Sequence, residues 1–134
     1  MSEVDKLAAY IEEMASDVEL DELCVKEVQM KLPALKHKWV GRLMQHKSAL
    51  GRLYNQKSEY KQKAVDKVKE AAAYNMSDRA IEAACENQPA MIDMNQQIKE
   101  HKLVIEFLEK SEKIFSSLTF DIKNLVEIIK LETM

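Results

Sequence analysis

The chain is 134 residues long, 46% apolar and 32% charged, a balance typical of folded soluble domains, because disordered chains of similar charge carry far fewer aliphatic side chains. At roughly 100–200 residues per domain this length predicts one domain, 1–134. Two glycines and two prolines leave too little turn chemistry for an all-β or many-looped α/β fold, so the expected class is all-α.

Val4, Leu7, Ile11 and Met14 recur at spacings of three and four, which predicts one apolar face of a short amphipathic helix. Asp17-Val18-Glu19-Leu20-Asp21 alternates polar and apolar residues and reads as a short extended connector. Asp21 can cap a second helix by accepting from its first free N–H groups. Pro33 removes a backbone donor and costs a helix interior roughly 3 kcal/mol, so residues 22–31 and 34–74 are expected as two helices or as one with a kink or short break. Residues 34–74 contain no proline and only Gly41 and Gly51, enough for a helix on the order of 60 Å long. Along it a strict three-four alternation passes through Trp39, Leu43, His46, Leu50, Leu53, Lys57, Tyr60, Ala64, Lys67 and Ala71, apolar early and mixed late.

Asn75-Met76-Ser77-Asp78 marks a stop and a new cap, ahead of an alanine-rich helix ending near Asn87-Gln88-Pro89. The same spacing through Met91, Met94, Ile98, His101, Ile105, Leu108, Glu112 and Phe115 predicts a fourth helix over about 91–116. Ser117-Leu118-Thr119 is expected to interrupt it, leaving Ile122, Leu125, Val126 and Ile129 on the face of a last helix. So apolar a terminal helix needs a partner surface, within the chain or on another subunit. The chain thus divides into N-terminal helices with a long basic helix (1–74) and C-terminal helices for packing and assembly (75–134).

The net charge of −3 conceals a segregated distribution. Residues 1–30 carry two basic and nine acidic side chains, residues 31–69 eleven and two, and residues 70–134 seven and twelve. On a helical wheel Lys38, Arg42, Arg52, Lys63 and Lys67 fall within about 80°, along roughly 44 Å of helix, beside an arc holding Trp39, Tyr54 and Tyr60. Lys57 and Lys61 interrupt that apolar arc. Such a stripe beside exposed or half-exposed rings suits a single-stranded nucleic acid, whose phosphates follow the charge while bases stack. A helix whose lysines only keep it solvated would mix in glutamate for i,i+4 support, whereas here Glu59 and Asp66 face eleven cations. The alternative is a helical adaptor or structural coiled coil that turns the stripe toward an acidic protein.

Other chemistries find little support. Gly41 and Gly51 stand too far apart for a phosphate-cradling loop, and Cys24 and Cys85 form neither a disulfide framework nor a zinc site, which fits a reducing cytoplasm. His37, His46 and His101 lack metal-ligand spacing, so no metal and no cofactor is expected. Asp17, Glu19 and Asp21 imitate the start of a calcium loop, but Glu22 and Val28 occupy its glycine and bidentate-acid positions. No nucleophile comes with a positioned base, so no enzyme is expected. An acidic start without an apolar h-region, and no run near 18 apolar residues, predict a cytoplasmic protein away from membranes.

Five stretches in this order, over nearly the whole chain, resemble the UvsY recombination mediators of tailed phages. They are Asp17-Val18-Glu19-Leu20-Asp21, Leu35-Lys36-His37-Lys38-Trp39 opening the lysine-rich helix, Asp93 ahead of Ile98, Phe107-Leu108, and Phe120-Asp121-Ile122-Lys123-Asn124. The resemblance implies a non-enzymatic protein that binds single-stranded DNA and loads a RecA-like recombinase onto strands covered by single-strand-binding protein. It implies a ring-like homo-oligomer of about six to seven subunits, acting in the cytoplasm of the infected bacterial host. It places DNA contacts on the basic helix, where Lys38, Arg42, Lys47, Arg52 and Lys57 match by position, and the helical wheel adds Trp39, Lys61, Lys63 and Lys67 as candidate contacts. Assembly falls to the C-terminal helix, here Phe120, Ile122, Leu125, Val126 and Ile129. Pro33, and Lys61 and Lys63 flanking Gln62 ahead of Ala64, depart from the family's pattern.

Overall fold

The computed structural model describes residues 2–21, 23–71 and 75–134. Among these it contains four α-helices and no strand: α1 (Glu3–Asp17), α2 (Val25–Ala71), α3 (Asp78–Glu86) and α4 (Pro89–Thr133). The expected helix start at Glu22 and helix end at Tyr74 lie outside the described residues. No helix among the described residues is long and apolar enough to cross a membrane.

Local chemistry accounts for the helix ends. Ser2 and Asp5 form a reciprocal capping box on α1, each side chain accepting from the other's backbone N–H. Asp21 Oδ1 accepts from the Leu23 and Cys24 amides at 2.7 and 3.1 Å; both residues precede α2, so Asp21 fastens the turn that leads into the helix and does not take the expected role of bonding the helix's own first N–H groups. Ser77 caps α3 through the Ala80 amide at 3.2 Å, and Pro89 opens α4, where its missing N–H costs nothing. Helices α1 and α3 stop without a left-handed residue: Val18 after α1 has φ −99° and Asn87 after α3 has φ −84°. A chain with two glycines can therefore still make these turns.

Of the two expected interruptions, Pro33 resolves to the single-helix alternative and the one at residues 117–119 does not occur. Pro33 lies inside the continuous helix α2, where its ring is exposed and the neighbouring Leu32 is buried. Burial of Leu32, Trp39 and Leu43, at about 1.5–3 kcal/mol per side chain, outweighs one lost hydrogen bond and the ring clash. Ser117-Leu118-Thr119 likewise sits inside α4, which runs unbroken to Thr133. Leu118 is buried, and the Ser116 and Thr119 hydroxyls bond back to the Glu112 and Phe115 carbonyls at 3.1 Å, so polar side chains that read as breakers are satisfied within the helix.

The helices make two compact units, residues 1–46 with 103–134 and residues 47–102. In the first, α1, the start of α2 and the end of α4 surround Met14, Leu32, Trp39, Leu43, Val104, Leu108, Phe115, Leu118 and Ile122. Trp39 meets Phe107 edge-on, Lys36 reaches Thr119, and Leu32 shares a groove with Ile122 and Val126, so α2 and α4 run antiparallel here. The buried stripe of α4 is Val104, Leu108, Ser111, Phe115, Leu118 and Ile122; it takes Ser111 where Glu112 is expected, and the Ser111 hydroxyl is spent on the Phe107 carbonyl at 2.9 Å. In the second unit α3 packs Ile81 and Cys85 on Ala64, flanked by Tyr60, Val65, Val68 and Met76.

The packed face of α1 also differs from the apolar one. Val4 and Ile11 remain about half exposed, at 49% and 50%, while Tyr10, Glu13, Met14 and Asp17 turn inward. The surface that α1 meets on α2 is a mixture of indole and cations, so it draws in acids and a phenol as well as methyl groups.

Candidate nucleic-acid interface

The first three predicted contact residues meet α1. Lys38 Nζ lies 2.6 Å from Asp17 Oδ2 and 2.9 Å from Glu13 Oε1, and Arg42 grips Glu13 with both terminal nitrogens, at 2.5 and 3.2 Å. The Arg42 guanidinium also sits between the Tyr10 and Trp39 rings, 4.8 and 4.7 Å from their centroids. Trp39, expected to be at least half exposed, is only 2% exposed, and its indole N–H donates to Asp17 at 2.9 Å. Tyr10 packs edge-on against Trp39 and places its hydroxyl 3.2 Å from His46 Nε2, while His46 Nδ1 lies 3.2 Å from Glu3.

Electrostatics follow from this geometry. The Arg42 hydrogen bond holds the Glu13 carboxyl below its usual range against the opposing effect of burial, with Lys38 assisting. Burial works against the Lys38 ammonium, but hydrogen bonds to Asp17 and Glu13 outweigh it and raise its pKa. Lys38, Trp39 and Arg42 thus form the seat of α1. The sequence signal for this seat was present in the acidic spacing of Glu13 and Asp17, one turn apart, opposite cations four apart.

The later cations belong to the second unit. Lys47, Arg52, Lys63, Lys67 and Lys69 are exposed along α2, and Lys57 is half-buried. Arg52 bonds the Ser48 hydroxyl at 3.0 Å, and Lys61 pairs with Glu82 of α3 at 3.1 Å, a hydrogen bond that raises the lysine's pKa. The Tyr60 hydroxyl donates to Gln88 at 3.0 Å, whereas the Tyr54 ring is 42% exposed. Lys102 of α4, absent from the sequence prediction because it lies far along the chain, places its ammonium 5.6 Å from the Tyr54 centroid.

Of the five residues expected in an assembly surface, Ile122 is 4% exposed and belongs to the first unit's core. Leu125, Val126 and Ile129 are half-buried, and Phe120 is 67% exposed. Phe120 and Val126 line an open groove with Leu32, and Ile128 and Leu131 extend the apolar surface toward the C-terminus.

Four helices, no strand among the described residues and a run of exposed cations along α2 define an all-helical protein. Residues 13–133 match the family described as "Recombination, repair and ssDNA binding protein UvsY", and the chain belongs to that family. Two crystal structures of the bacteriophage T4 recombination mediator protein UvsY share the fold. The lattice type IV structure superposes with a TM-score of 0.82 at 17% identity, over 94% of this chain and 98% of that one. The lattice type II structure gives 0.79 at 14% identity, over 95% and 97%. No match of comparable significance was found among curated proteins.

Proposed function

We propose that this protein is a recombination mediator that binds single-stranded DNA along residues 47–69 of α2. As a homo-oligomer it would load a RecA-like recombinase onto strands covered by single-strand-binding protein, in the cytoplasm of a phage-infected cell and without catalysis of its own. The observation that carries this reading is the run of seven cations against two acids over 47–69, most of them exposed. Family membership supports the same conclusion. Lys47, Arg52, Lys57, Lys61, Lys63 and Lys67 supply phosphate contacts, sequence-independent and strongly salt-dependent. Lys38, Arg42 and Lys61 contribute less in this reading, because Glu13, Asp17 and Glu82 already pair with them. Phe120, Leu125, Val126 and Ile129 join subunits, head to tail if the assembly is a ring.

The test is fluorescence anisotropy of a labelled single strand at low and moderate salt, with duplex of equal length as control. Tight, salt-sensitive binding that prefers the single strand is expected, and Lys57→Ala/Lys61→Ala/Lys63→Ala should weaken it and flatten its salt dependence. Absence of binding at low salt would make the basic segment a docking surface for an acidic protein.

A further inference from the structure

We propose that Tyr54 of α2 and Lys102 of α4 together form a subsite that stacks one base of a single strand and holds the adjoining phosphate. The inference rests on the DNA-binding reading above and assigns part of that function to α4.

Of the three rings in the basic stretch of α2, Trp39 is buried under α1 and Tyr60 is half-buried with its hydroxyl bound to Gln88. Tyr54 alone of these three presents an open ring, 42% exposed. Lys57 and Lys61 follow it at three and seven residues, and Lys47 precedes it by seven, so all three lie on its side of the helix. Lys102 adds a cation from a second helix, 5.6 Å from the ring centroid, and Lys99 stands exposed one turn before it.

A lysine over a solvent-exposed ring is held only weakly, because water competes for the ammonium. A base can take over the ring face, and the displaced ammonium stays within reach of the phosphate attached to that base. Stacking of this kind accepts any base, since every base has a π-face. It therefore adds affinity without sequence preference, which is what a protein loading strands of arbitrary sequence requires.

Affinities for a thymine oligonucleotide and for an abasic strand of equal length separate the two contributions. Tyr54→Leu should weaken binding to the thymine strand roughly ten-fold and leave the abasic strand unchanged, while Tyr54→Phe keeps wild-type affinity for both. Lys102→Ala should reduce the salt slope by roughly 0.7 on both strands. Leucine is a good helix former at an exposed position, so unchanged helicity by circular dichroism is expected for the variant. Wild-type affinity of Tyr54→Leu for both strands, or an equal loss on both, overturns the subsite while leaving DNA binding intact. If the wild-type protein binds neither strand, the DNA-binding reading falls and takes the subsite with it.

Discussion

Glu13 stands at the centre of the contact between α1 and α2, and its ionisation makes that contact pH-dependent. Its carboxyl is held below the ordinary glutamate value, so its contribution is complete above the unfolded pKa of about 4.3 and disappears as pH falls through that range and below it. The Lys38 ammonium is shifted upward, so its contribution is complete below about 10.4 and is lost only as pH rises through its raised value. Both are present at neutral pH. Because Glu13 is more than a third exposed, solvent screening limits the charge-assisted bonds to roughly 1 kcal/mol. Glu13→Gln should lower stability by about that much in urea unfolding at pH 7, with the difference from wild type vanishing in acid. Parallel stability curves across pH would mean that Glu13 is not the titrating group. Trp39→Ala should cost about 3–5 kcal/mol by emptying a packed site, so any loss of DNA binding in that variant reports a damaged fold rather than a lost contact.

Helix α2 tolerates sequence features that oppose it, and each can be tested where it stands. Pro33 is exposed and lacks the amide that would bond to the Gln29 carbonyl; replacing it restores the bond but frees the unfolded chain. Pro33→Ala should therefore stabilise the protein by about 2 kcal/mol, read as a raised urea midpoint with an unchanged slope. Gly41 and Gly51 leave open space where a Cβ would project, with nothing within 4 Å. Gly51→Ala should add roughly 0.5–1 kcal/mol through backbone entropy alone, and a destabilised variant would show that the open side is covered by something else, such as another subunit.

Charge along the molecule divides between cations that dock α1 and a run of cations further along α2. Glu13 and Asp17 of the N-terminal helix answer Lys38 and Arg42 of α2, and the run of seven cations against two acids lies further along, over residues 47–69. Exposed apolar residues occur on every long helix, and near the end of α4 Phe120, Ile128 and Leu131 are all at least half exposed. Leu125→Asp or Ile129→Asp should dissociate the proposed homo-oligomer, because a carboxylate in an apolar contact cannot be hydrated. Light scattering of the variants would show it, and a wild-type mass would refute the role of that face. If linked subunits multiply the affinity of each, the dissociated variant should also bind a long single strand far more weakly, by about 10²-fold or more, despite an intact basic segment.

The all-α class, the cap ahead of α3, the family resemblance and the segregation of charge could all be read from residue types and their spacing. These depend on local chemistry or on sums along the chain, and neither changes when the helices come together. The continuity of α2 through Pro33 and of α4 through Ser117-Leu118-Thr119 was decided by tertiary packing, because burial of Leu32, Trp39 and Leu118 exceeds a local breaking cost that a sequence pattern registers alone. The same holds for the cations: spacing placed Lys38 and Arg42 on one stripe with Arg52 and Lys63, but only the docking of α1 neutralised the first pair. Tyr54 and Lys102 stand 48 positions apart in the sequence and meet because α2 and α4 are folded together, a proximity that no periodicity along either helix encodes.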